Sequence, residues 1–225
     1  MRARPILFTG SMVRGIQARA KMQTRRALKH QPSEKHFIPE RDSMLMSSRI
    51  DDDSGNVLHA VFEYTMGEHE AFPCPFGRPG DQLWVKETFC NIAHAGYDPV
   101  YFYRADGEDK PHYVKHWKPS IFCSRKASRI TLDILSLRVE RLQQISEEDA
   151  IAEGAKRNDA PGEEWDGTYL TQRFIDGIEG SQNDEPHGSA REWYRSIWET
   201  INGRGSWDKN PWVWVIEFNR VEDAK

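Results

Sequence analysis

The segment Trp212-Val213-Trp214-Val215-Ile216-Glu217-Phe218 is the strongest constraint on the fold. Its large residues Trp212, Trp214, Ile216 and Phe218 fall two apart, the spacing of a strand that buries one face. Trp212 and Trp214 therefore read as core before they read as a stacking surface. Shorter apolar runs of the same kind recur, each closed by turn residues. Ile6-Leu7-Phe8 ends at Thr9-Gly10, Gln82 to Thr88 starts from Gly80-Asp81, and Ser128 to Leu137 forms another strand. Met44 to Ile50 and Val57 to Tyr64 form a hairpin around Asp51-Asp52-Asp53-Ser54-Gly55-Asn56. Such spacing favours a small β-barrel over a parallel sheet.

Helices are marked by their caps. Ser11 is placed to start a helix carrying Met12, Val13, Ile16 and Ala20 at helical spacing. Ser146 with Asp149 starts a short helix from Glu147 to Glu153, with Ile145 in the staple position and Gly154 closing it. Ser189 and Glu192 open a third, whose stripe Ala190, Trp193, Tyr194, Ile197, Trp198 and Ile201 is core. The 225 residues suit a single domain, and 38% apolar with 29% charged residues belongs to a folded chain. Residues 155–188 hold few large apolar anchors, Trp165, Tyr169, Leu170, Phe174 and Ile175 among them, and read as a surface excursion or lid.

Charge is segregated. The first thirty residues carry eight Lys or Arg and no Asp or Glu, whereas residues 145–190 carry twelve Asp or Glu against three Lys or Arg. The basic end attracts a polyanion or a phosphate-bearing ligand. Cys74, Cys90 and Cys123 are odd in number and widely spaced, which argues against a disulfide framework and for a reducing, cytoplasmic setting. No membrane span or signal peptide is expected. No metal or other cofactor is expected either, since the chain has no Cys-x-x-Cys and its histidines are scattered.

Lys21 and Thr24 stand three apart just beyond the first helix, within Lys21-Met22-Gln23-Thr24-Arg25-Arg26. Thr24 is a nucleophile only if a base takes its proton; otherwise it is a β-branched strand residue. Glu153 falls at a helix C-terminus, where the macrodipole disfavours negative charge unless a cation such as Lys21 is near; otherwise it is a solvated helix end. Arg25 and Arg26 read equally as phosphate or carboxylate contacts and as strand-edge arginines. Trp84 and Trp117 are candidate surfaces for stacking a base.

In order along the chain, several segments resemble the ASCH domain, a branch of the PUA-like superfamily. They are Arg4 to Arg14, Lys21 to Arg26, Cys74-Pro75-Phe76-Gly77, Pro79 to Thr88, Lys118-Pro119-Ser120-Ile121, Ala127 to Leu132, Ile145 to Ala150 and Asn210 to Phe218. The resemblance implies an α+β, mostly antiparallel small β-barrel with peripheral helices, interrupted by insertions at about 35–70, 91–116 and 155–188. It also implies a cleft for RNA or a modified nucleoside. Family members include enzymes that hydrolyse the amide of N4-acetylcytidine with a lysine, a threonine and a glutamate, which by motif position are Lys21, Thr24 and Glu153. Arg25, Arg26 and Trp84 would then contact substrate. Where the family has Gly-Arg-Lys-Thr, this chain has Arg19-Ala20-Lys21-Met22. A non-catalytic RNA-binding module and a metal-independent ribonuclease are the alternatives.

Overall fold

The computed structural model describes residues 1–32, 46–50, 58–63, 69–93, 96–107, 111–112, 114–159, 167–170 and 186–221. Its elements run β1 (Ala3–Leu7), α1 (Gly10–Gln17), β2 (Gln23–Ala27), β3 (Met46–Ile50), β4 (Leu58–Glu63), β5 (His69–Pro73) and β6 (Gln82–Lys86). After these come β7 (Phe89–Ile92), β8 (Val100–Tyr103), β9 (Thr131–Arg141), α2 (Glu147–Ala152), β10 (Tyr169–Leu170), β11 (Pro186–His187), α3 (Ala190–Asn202) and β12 (Trp212–Arg220). The protein is α+β. Among the described residues, no helix is long and apolar enough to cross a membrane. The turn expected at Asp51 to Asn56, the anchors Trp165, Phe174 and Ile175, and most of 155–188 lie outside the described residues.

The central sheet has the order β1-β6-β9-β12-β2, with β1 and β6 parallel and the other three ladders antiparallel. It is not the closed barrel expected from the strand spacing. Between its two edges, β1 and β2, a side chain replaces a backbone ladder: Arg26 Nη2 donates to the Leu7 carbonyl at 2.6 Å, and its guanidinium stacks 5.1 Å from the Phe8 ring centroid. The expected hairpin forms as the antiparallel pair β3 and β4, to which β5 adds.

Strand β12 is central and buried on both faces, so its alternation sorts two cores. Trp214, Ile216 and Phe218 join Ile6, Phe8, Leu83, Leu132 and Ile134 on the inner face, with Trp212 packed at the margin. Val213 and Val215 join Trp193, Tyr194, Trp198 and Trp207 on the outer face, beneath α3. Ala60 and Phe62 of β4 are wholly buried in the inner core, and Phe62 meets Trp212 edge-on at 5.0 Å between centroids. The 35–70 segment thus contributes β4 to the core.

Strand β9 runs past its expected end because it carries a bulge. Glu217 pairs with Ser136 and Phe218 with Ile134, leaving Leu135 unpaired and 52% exposed. Inward positions shift there from Leu132 and Ile134 to Leu137 and Val139. An apolar run read with a single period therefore stops short.

Helices α2 and α3 start at the expected caps, Ser146 accepting from Asp149 N and Ser189 from Glu192 N, both at 3.1 Å. Glu192 bonds Gly188 N, one residue before the position a closed capping box requires. Helix α1 starts earlier than expected: Thr9 is its cap, accepting from Met12 N, while Ser11 lies inside it with its hydroxyl 3.0 Å from that of Thr9. Ala20 lies beyond α1, and Ile201 is 44% exposed in the last turn of α3, so neither belongs to its expected stripe.

Candidate functional site

The chain leaves α1 through Arg19, which holds φ +57°, and doubles back so that Ala20 N and Lys21 N both donate to the Gly15 carbonyl. Arg19 keeps a left-handed backbone conformation that glycine adopts without strain. Arg19→Gly should stabilise the fold by up to about 1 kcal/mol, read by urea unfolding. The turn delivers Lys21 beside the end of α2, where Met22 N also donates to the Ala152 carbonyl at 2.8 Å.

Glu153 caps the C-terminus of α2, and Gly154 follows at φ +110°. Lys21 Nζ donates to the Glu153 backbone carbonyl at 2.8 Å and to its Oε2 at 2.6 Å. The cation that the helix end calls for is thus present and makes both contacts. Lys21 and Glu153 are buried, with 3% and 5% exposed. Burial pushes the Lys21 pKa below the ordinary lysine value, against the attraction of Glu153, and Arg26 and Arg25 nearby push it the same way as burial.

Arg25 points to the outer face, opposite Val215 and 5.8 Å from the Tyr194 ring centroid. Its Nε and Nη2 donate to Glu140, Nη2 also to Asp149, and Nη1 to Gln23 and Glu153. All five N–H groups of the guanidinium are committed within the protein, so of the two contacts expected for Arg25, phosphate or carboxylate, the structure shows the carboxylate one. The network continues through Arg138, which bonds Asp149, Glu140 and Glu217. Burial alone would raise the Asp149 pKa, but Gln23, Arg25 and Arg138 outweigh it and hold the carboxyl below its usual range. Glu217 is lowered chiefly by a hydrogen bond from Ser136, with Arg138 assisting. Sequence reasoning missed Gln23, Arg138, Glu140, Asp149 and Glu217. The available signal was like-facing opposite charges two apart, Arg138 and Glu140, on a strand.

Thr24 is buried, but it faces the inner core opposite Ile216, the other side of β2 from Arg25. Among the described residues, its hydroxyl makes no hydrogen bond to Lys21 or Glu153. Arg26 shares its face, across from Trp214, and the Arg26 Nε is buried with no hydrogen-bond partner among the described residues. The structure therefore joins Lys21 to Glu153 and places Thr24 and Arg26 together on the face of β2 opposite Arg25, with the Arg26 charge close enough to act on Lys21. Trp84 lies elsewhere, half-buried on β6, with the Lys86 ammonium 5.7 Å from its ring. Lys86 in turn donates to the Ile121 carbonyl, so Trp84 belongs to that side of the sheet.

Chemically, the pair offers a desolvated amine with its orientation fixed. Two acceptors take two of the Lys21 N–H groups, and the remaining valence is a lone pair in the neutral amine or a third N–H in the ammonium. Both carboxylate oxygens of Glu153 are engaged by cations, Oε2 by Lys21 and Oε1 by Arg25. Comparison with family models, with curated proteins and with solved structures finds no match.

Proposed function

We propose that this protein hydrolyses the exocyclic amide of an N4-acylated cytidine or a closely related modified nucleoside. The observation that carries the reading is the buried Lys21 ammonium donating to both the backbone and the carboxylate of Glu153, with its pKa lowered by burial. A lysine so held supplies a neutral amine at lower pH than one in solvent. Glu153, occupied on both oxygens, positions that amine.

In the reaction, Lys21 takes a proton from a water whose hydroxide adds to the acyl carbon. The developing oxyanion is met by the Thr24 hydroxyl and the unpartnered Arg26 Nε–H, which lie together on the inner face of β2. The carbon–nitrogen bond breaks as Lys21 returns the proton to the leaving exocyclic amine, giving the carboxylic acid and the free cytidine. Assigning the hydroxide to water follows from the lack of a Thr24–Lys21 hydrogen bond. Substrate reaches this face through the seam between β1 and β2, which opens when Arg26 Nη2 releases the Leu7 carbonyl.

Purified protein incubated with N4-acetylcytidine should release acetate; absence of turnover would overturn the reading. Thr24→Val should lower kcat/KM about a hundredfold, the cost of one lost oxyanion donor, while Thr24→Ser keeps most of it. An acyl group trapped covalently on Thr24 would replace the water mechanism with direct attack by the hydroxyl.

A further inference from the structure

A cavity of about 580 Å³ opens beside β7 and β8, lined by Phe89, Asn91, Tyr101, Trp117, Lys118 and Phe122 among others. Its volume falls in the range of small-ligand sites. The ring of Phe89 forms the buried floor, with Tyr101 tilted 49° against it at 6.2 Å between centroids. A backbone bridge between Phe89 and Lys118 fixes the wall. The Lys118 ammonium lies 5.7 Å from the Phe89 ring centroid and donates to Asn91 Oδ1 at 2.6 Å. At the rim, the single turn Ser120–Phe122 presents Ile121 and Phe122 to solvent, 62% and 69% exposed. The turn is pinned by its own backbone bonds and by the Lys86 ammonium on the Ile121 carbonyl at 2.5 Å. Phe122 lines the cavity together with Phe89, Tyr101 and Trp117, and apolar surface grouped in this way marks a contact site where a single exposed ring would not.

Charge says what fits there. Residues 110–132 contain six Lys or Arg and no Asp or Glu. The nearby carboxylates of Glu87 and Asp106 are both taken by Arg129, itself stacked 3.9 Å from the Tyr103 ring centroid. Lys118 lines the cavity, Lys86 holds its rim, and Arg125 and Lys126 follow the lining residue Ser124 in sequence, beside aromatic faces and two small polar groups, Asn91 and Ser124. Aromatic faces stack bases, polar groups meet base edges, and ammonium groups meet phosphates. A duplex hides its base faces, so the arrangement suits an unpaired strand.

We propose that this cavity is a single-stranded RNA site, separate from the Lys21–Glu153 centre, in which Phe122 and Trp117 stack an unpaired base while Lys118 and its neighbours contact the flanking phosphates. The test is fluorescence anisotropy of a labelled twelve-nucleotide oligouridine with the full chain, titrated at several salt concentrations. Phe122→Ala, at a solvent-exposed site, should weaken binding about tenfold, and Phe122→Trp should retain it. Lys118→Gln should weaken binding and lower the salt slope by about one. Affinity within twofold of the parent for both Phe122→Ala and Trp117→Ala would overturn the proposal. So would equal affinity for duplex RNA. So would sedimentation showing that Phe122→Ala only dissociates a dimer, which would make the rim a contact with a second copy. Because the readout is affinity, a protein that binds RNA but turns over no nucleoside overturns the hydrolase reading alone, and the reverse result overturns this one alone.

Discussion

Lys21→Met should lower kcat/KM for N4-acetylcytidine by about a thousandfold, the scale of a lost general base, with the circular dichroism of the parent retained. Methionine keeps the stem of the side chain and deletes the proton carrier. In the parent the active form is the neutral amine, so kcat/KM should rise with pH through the lowered Lys21 pKa and level off below the ordinary lysine value of 10.5. The same burial links Lys21 to stability. The folded protein holds this proton less tightly than the unfolded chain, so stability should increase with pH from the folded pKa up to 10.5. Lys21→Met should abolish that slope as well as the activity. A profile unchanged by the substitution would remove Lys21 from the reaction.

Arg25→Met should cost about 3–5 kcal/mol, the scale for removing one partner from a buried ionic cluster. For a chain of this size that corresponds to a fall in Tm of roughly 10 °C, readable by calorimetry. The side chain of Arg25 is wholly buried and is shared among Glu140, Asp149 and Glu153, so its loss leaves three carboxylates short of a donor. Two consequences distinguish this from simple loss of packing. With one flanking positive charge gone, the Lys21 pKa should rise and the pH–rate profile should move upward. The parent should also be acid-sensitive through Asp149 and Glu217. Their lowered pKa values contribute stability above the usual carboxylate range, lost as pH falls through the folded values. The Asp149 part of that sensitivity should shrink in Arg25→Met.

Features decided by neighbouring residues were legible. The Ser146 and Ser189 caps, the hairpin of β3 and β4 and the alternation of β12 all rest on contacts within a few positions. The Glu153 helix end was legible because an acidic group there demands a cation, and Lys21 supplies it across 132 positions of sequence. Arg25 was not, because a strand arginine looks the same whether it faces water or α3. Its face is set by Val215 on the opposite strand, which no local pattern reveals. The same limit separates Thr24 from Lys21: three positions apart in sequence, Lys21 is committed to the Glu153 end of α2 whereas Thr24 faces the inner core opposite Ile216. Closure failed as an expectation for a related reason. Counting strands says nothing about whether the first and last edges pair through backbone or, as between β1 and β2, through one guanidinium.

The position of β12 between β9 and β2 carries a consequence for how the molecule is made. Gln23 and Glu217, neighbours across that ladder, are separated by 194 residues, so β2 leaves the ribosome without a mate and waits for β12 to follow. The wedge that completes the architecture arrives late, and assembly of the Lys21 pocket and its supporting charges is gated by translation. Nascent chains stalled before residue 212 should expose the flank of β9 to chaperones, and release of β12 should convert a protease-sensitive precursor into a resistant one in a single step.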